Sequence, residues 1–136
     1  LPGKLEQRGL IGVVISPGGD PLLVCSTHFD HGRDNPSRAV EAQIVADFAR
    51  ESSIPVILAG DLNALPGSDV LSILGEVFEI PQHPAPTFPS DIPERRIDYI
   101  LPTHIPGWQL TETRVVPEPL ASDHRPVLAI FKRIDS

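Results

Sequence analysis

The chain has 136 residues, a net charge of −7 from 18 acidic and 11 basic side chains, 40% hydrophobic residues and one cysteine. That length and apolar content suit a single domain with one core. No run of about 18 apolar residues offers a membrane span, and a lone Cys25 excludes an internal disulfide. The acidic balance, with lysine only at positions 4 and 132, disfavours broad attraction to duplex DNA, which rests on Lys and Arg contacts to phosphates.

In chain order the pattern reads β-β-α-β-α, a loop, then three strands. Leu10 to Ser16 and Pro21 to Thr27 read as a hairpin across Pro17-Gly18-Gly19-Asp20, all turn formers. Cys25 lies inside the second strand and reads as a small buried hydrophobe. That strand runs on into Ser26-Thr27-His28-Phe29-Asp30-His31, a polar mouth at a strand end, where ligands collect in layered α/β folds. For Asp30 and His31, two readings stand: pocket lining, or ordinary solvated loop residues. Asn35-Pro36 reads as an N-cap followed by proline at the first helical position. Val40, Ile44 and Phe48 recur at four-residue spacing, predicting a helix over about 37–50 with that stripe against the sheet.

Val56-Ile57-Leu58-Ala59 follows Pro55 and closes on Gly60, which predicts a strand buried on both faces. Asp61 and Asn63 at its end are either the residues that stop an element or two polar groups converging on one point from a rigid support. Asp61 to Gly67 reads as a loop and Ser68 to Leu74 as a short helix. The segment 81–93 carries prolines at 81, 84, 86, 89 and 93, so it is stiff and poor in donors. It is a substrate rim or an ordered connector.

Asp98 opens Tyr99-Ile100-Leu101, a strand otherwise written for burial, where a carboxylate is costly unless paired. Its available partners are His124 and Arg96. Trp108 to Val116 reads as a strand. The last strand follows Ser122-Asp123-His124-Arg125-Pro126, and neighbours on a strand point to opposite sides, so Asp123 and His124 should do different jobs. Arg125 either touches an anionic substrate or pairs with a surface acid.

The order Ser26-Thr27-His28, Gly60-Asp61-Leu62-Asn63, Ile97-Asp98-Tyr99 and Ser122-Asp123-His124 resembles the endonuclease/exonuclease/phosphatase superfamily, which includes pancreatic deoxyribonuclease, abasic-site endonucleases, inositol polyphosphate 5-phosphatases and bacterial sphingomyelinases. Four such motifs in order, each at a strand end, make the match specific, and it spans about residues 8–131. Thr87-Phe88-Pro89 and Ser37-Arg38 resemble bacterial hydrolases of this group.

The resemblance implies a four-layer α/β/β/α sandwich, of which this chain is the C-terminal half over 1–136: one mixed β-sheet with helices on one face and a bare apolar inner face. Family members are about twice this length, and their first half supplies an Asn and a Glu that binds the catalytic Mg²⁺. The chain starts at Leu1, and nothing before His28 supplies that pair, so the expectation is a fragment that does not complete the metal site alone. A bare apolar face rarely persists on a soluble monomer. Its expected cover is the N-terminal half or a second copy, sheet to sheet.

The activity implied is hydrolysis of a phosphate ester by in-line attack of water. Asp61 would orient and deprotonate the water, with Asn63 holding it or a phosphoryl oxygen. His124, kept in one tautomer by Asp98, would donate to the phosphate, and His28 would approach from the other side. Asp123 and Asp61 would bind Mg²⁺ or Mn²⁺. Arg125 joins Asn63 and His28 as a substrate-binding candidate. The substrate expected is a phosphorylated small molecule, a phospholipid headgroup or a short nucleic acid. Two other readings remain: a nuclease half acting on DNA or RNA, against which the scattered aromatics weigh, and a noncatalytic scaffold, against which the retained polar set weighs.

Overall fold

The computed structural model describes residues 1–4 and 6–134. Its strands are β1 (Leu10–Ile15), β2 (Leu22–His28), β3 (Val56–Asp61), β4 (Asp98–Pro102), β5 (Trp108–Val115) and β6 (Val127–Arg133), with helices α1 (Ser37–Glu51) and α2 (Asp69–Leu74). Four strands form a mixed sheet in the order β1-β2-β3-β4, and β5 and β6 pair as a separate antiparallel ribbon. The β1–β2 hairpin is antiparallel, β2 runs parallel to β3 through α1, and β4 returns antiparallel to β3. The parallel pair requires the long crossover that α1 supplies.

Side chains of the sheet alternate between two faces. Cys25, Val56, Leu58, Tyr99 and Leu101 point to one of them and are buried with Ala42, Val45 and Ala49 of α1, with Val70, Leu71 and Leu74 of α2, and with Phe78. Each such aliphatic side chain contributes about 1.5–3 kcal/mol when fully buried. On the other face, Leu22 and Ile57 are buried with Ile105, and Val24, Ile100, Trp108 and Phe131 lean on them. Towards β1 that face is uncovered: Ile11 and Val13 are 74% and 60% exposed.

The helix packs by a different stripe from the one its apolar spacing predicts. Val40, Ile44 and Phe48 are exposed, whereas Ala42, Val45, Ala46 and Ala49 face the sheet together with Glu41. Both stripes satisfy helical periodicity. The alanine stripe lets the helix approach the sheet closely, and its burial places the Glu41 carboxylate under the loop that follows β2. The N-terminus also sits one residue later than expected: Pro36 takes the cap position, and Asn35 caps through its side chain, whose Oδ1 accepts from the Ser37 N–H at 3.0 Å. Ser68 caps α2, its hydroxyl accepting from the Leu71 N–H at 3.4 Å. Among the described residues no helix is long and apolar enough to cross a membrane.

Candidate active site

Sheet register assembles the site. His28 stands opposite Asp61 across the β2–β3 ladder, and Asp61 stands opposite Asp98 across β3–β4. The three therefore form one row across neighbouring strands and share a face. Counting back by twos from each, that face also carries Val24, Ile57 and Ile100, so the row lies at the lip of the incompletely covered side. Gly60 is required for this alignment, because its φ is +148° and a Cβ there would run into the Thr27 carbonyl.

His28 Nε2 is 3.3 Å from Asp61 Oδ2, and His124 Nε2 approaches the same oxygen at 3.8 Å. The other oxygen, Oδ1, accepts from the Asn63 backbone N–H at 2.8 Å. Burial is the main force raising the Asp61 pKa, with the Asp98 charge adding to it, against the Asn63 hydrogen bond and the two histidines. His124 Nδ1 meets Asp98 Oδ2 at 2.8 Å; since a carboxylate only accepts, Nδ1 carries the proton and Nε2 is left facing Asp61. Burial disfavours the imidazolium. The hydrogen bond to Asp98 and the charges of Asp98, Asp61 and Asp123 outweigh that, and the His124 pKa is raised.

Asp98 therefore chooses His124 over Arg96. Arg96 is buried elsewhere, donating to the Ala85 carbonyl at 3.0 Å and lying over the Tyr99 ring at 5.2 Å. Asn63 adopts φ +46° and gives one amide N–H to the Phe29 carbonyl at 2.9 Å. Among the described residues its Oδ1 and second N–H have no hydrogen-bond partner.

Asp123 is exposed and accepts from the Ser122 hydroxyl at 3.3 Å. It lies outside the one group among the described residues whose ligand atoms are clustered enough for a metal, Asp61, Asp98 and His124, all within 4.8 Å of one another. Two of those three are already joined to each other. The carboxylate oxygens of that group suit a hard divalent cation and would fill only part of its six-oxygen shell. Arg125 has no carboxylate partner among the described residues: its Nε donates to the Ser90 carbonyl at 2.6 Å and an Nη to the Asp91 carbonyl at 3.4 Å.

Those two carbonyls belong to the proline-rich segment, an ordered connector that also braces the site. Thr87, fully buried, donates its hydroxyl to Asp98 Oδ2 at 2.6 Å and accepts from the Ile97 and Asp98 N–H groups. The Phe88 ring lies 4.7 Å from that of His124. Backbone bonds from Ser90 to the Asp123 carbonyl and from Arg125 to the Thr87 carbonyl tie this segment to the His124 loop. Sequence reasoning gave Thr87 and Phe88 no role in the site; the threonine ahead of a Phe-Pro pair was the only signal.

Glu41 was also missed, and Asp30 is not the solvated loop residue its position suggests. Asp30 is fully buried and accepts from the Lys4 N–H, the Asn35 amide and its neighbour's N–H. Its own N–H donates to Glu41 Oε2 at 3.1 Å. The carbonyl of that same peptide unit is the Phe29 oxygen that holds Asn63, so one peptide plane links Glu41 to the site. Burial raises the Glu41 pKa above the ordinary carboxylate range.

A row of carboxylate, imidazole and amide at the open end of a mixed sheet is the kind of site that holds an anion's reacting centre beside a hard cation. The chain belongs to the Endonuclease/Exonuclease/phosphatase family, whose model matches residues 3–124. Among solved structures, a conserved protein of unknown function from Enterococcus faecalis is 26% identical, with a TM-score of 0.68 over 84% of this chain and 51% of that one. Zebrafish (D. rerio) TDP2 in complex with a single-stranded DNA product is 19% identical, with a TM-score of 0.72 over 92% and 62%. A Staphylococcus aureus beta toxin mutant with bound magnesium is 21% identical, with a TM-score of 0.64 over 90% and 57%. These likenesses establish the deoxyribonuclease-like fold, and this chain spans about half the length of the solved chains it matches. No curated protein matches it.

Proposed function

We propose that the chain is the C-terminal half of a metal-dependent phosphoester hydrolase and carries the proton-handling part of its site. The observation that carries this reading is the row His28–Asp61–Asp98, with His124 locked to Asp98 through Nδ1 and its Nε2 aimed at Asp61. Asp61 orients and deprotonates the attacking water, and Asn63, fixed through Phe29, holds that water or a phosphoryl oxygen. His124 donates from Nε2 to the phosphate as charge grows on it, and Asp98, itself held by Thr87, keeps the ring in register. His28 approaches the phosphoryl or leaving oxygen from the opposite side.

Asp61 and Asn63 would hold Mg²⁺ or Mn²⁺, with Asp123 a further candidate. Such an ion supplies charge neutralisation and polarisation of the phosphoryl group. That a magnesium-bound protein shares the fold supports this choice of metal. The substrate is a phosphorylated small molecule, a phospholipid headgroup or a short nucleic acid; the last gains support from the DNA complex of TDP2.

The site lies at the lip of an apolar face left uncovered towards β1. The N-terminal half of the domain would cover that face and bring the remaining metal ligands; a second copy is the other candidate cover. The test is hydrolysis of bis-p-nitrophenyl phosphate by the chain alone and joined to its N-terminal half. Mg²⁺-dependent turnover in the joined form, removed by EDTA, is expected. A joined form that hydrolyses no phosphoester with either metal contradicts the reading.

A further inference from the structure

Beside Asn63 the surface opens into a groove of about 600 Å³ lined by His31, Arg33, Arg38, Leu65 and Arg95, with Asp34 as its single acid. Three guanidiniums on one cavity are unusual in a chain of net charge −7. Elsewhere three arginines find carboxylates, Arg8 on Glu6, Arg50 on Asp47 and Arg114 on Glu112, while Arg96 and Arg125 are taken up by backbone carbonyls. Among the described residues, Arg33, Arg38 and Arg95 have no carboxylate partner.

Their placement is specific. Arg38 donates to the Asp30 and Gly32 carbonyls at 3.1 and 2.6 Å, which fixes the loop that carries Arg33. Arg95 lies 5.0 Å over the Phe88 ring, whose own neighbour is His124. Arg33 is exposed and lines the same groove. Three like charges around a single acid leave an excess of positive charge, and a phosphate is the group a guanidinium fork fits best.

We propose that this groove is a subsite for a second phosphate of the substrate, gripped by Arg33 and Arg95 while the scissile phosphate sits over Asp61 and His124. This rests on the phosphoester reading above and narrows it to substrates with two phosphates. The second phosphate is either that of a small bisphosphate or the next phosphodiester of a single strand; the chemistry recognised is the same.

Isothermal titration of the chain with adenosine 3′,5′-bisphosphate, adenosine 5′-monophosphate and a thymidine tetranucleotide tests it. The expected result is a preference of about tenfold or more for the bisphosphate or the tetranucleotide over the monophosphate, the size of one charged hydrogen-bonding contact. Arg33→Gln/Arg95→Gln should bring that preference within about twofold, whereas Arg50→Gln/Arg114→Gln, with the same change in net charge, should keep it. Both pairs are surface arginines, and Arg38 is left in place because it holds the loop. A response of the bisphosphate assigns the subsite to small bisphosphates, and a response of the tetranucleotide alone assigns it to a strand. No preference in the wild type, or one that survives Arg33→Gln/Arg95→Gln, overturns the proposal. Failure of the phosphoester reading would look different: no hydrolysis, with the binding preference intact.

Discussion

The two faces of the four-stranded sheet are built from the same strands and serve opposite ends. One face is closed by α1 and α2 over Val56, Leu58, Tyr99 and Leu101, and carries the stability of the fold. The other is apolar but open towards β1, and its lip carries His28, Asp61 and Asp98. Because successive residues of β3 alternate between these faces, a step of three positions, from Leu58 to Asp61, passes from core to chemistry. The difference teaches that the polar row belongs to the face that the described residues leave partly uncovered.

The sharpest way to break this comparison is to substitute those two residues. Asp61→Asn in the assembled domain should lower turnover about 10²- to 10⁴-fold, the range for loss of a general base, with little change in melting temperature. Leu58→Ala should do the reverse at the level of the fold, destabilising by about 2–5 kcal/mol. Thermal melts and initial rates on both variants check it; equal loss of stability in the two would erase the distinction between faces.

Next in size, Thr87→Val keeps the shape of the buried side chain but removes the hydroxyl that orients Asp98 and receives two N–H groups. Leaving those groups unpaired should cost about 1–3 kcal/mol. Turnover should fall further than the melt accounts for, because the Asp98–His124 pair loses its brace. Thr87→Ser, which keeps the hydroxyl, should restore rate before it restores stability.

Much of this site was legible because its parts are local. An apolar run ending in Gly-Asp-Leu-Asn, or an acid opening Tyr-Ile-Leu, announces a polar group at a strand end whatever surrounds it. The pairing of Asp98 with His124 followed from the family resemblance and the cost of a buried carboxylate. What could not be read depended on contacts between distant segments. The bracing role of Thr87 and Phe88 exists only once the loop folds back on the His124 segment. The face of α1 was misread because two stripes share its period, and the bulkier one lost to the alanines that permit close approach. Glu41 was given no role, because only the packed face of α1 buries it under the loop after β2.

Smaller effects sharpen the same contrast. On the open face, Val13→Thr should change the stability of the isolated chain by no more than about 0.5 kcal/mol, yet weaken association with whatever covers it. Sedimentation velocity before and after the change reads that directly. On the covered side, Glu41 gives a pH signature. Its folded pKa is raised by burial, so the folded state holds its proton more tightly than the unfolded one, and Glu41 favours folding less as pH rises from the unfolded value through the folded one. The melting temperature of Glu41→Gln relative to wild type should therefore rise between pH 4 and pH 7. A difference that stays flat over that window would mean the carboxylate titrates normally.

The most direct test of the central claim is the turnover of the assembled domain on a phosphodiester with Mg²⁺, compared between wild type and His124→Ala. If the His124–Asp98 pair donates to the phosphate as the geometry implies, the loss is about a hundred- to thousand-fold with the fold intact. Near-normal turnover in the variant would contradict the assignment of this row as the reacting centre.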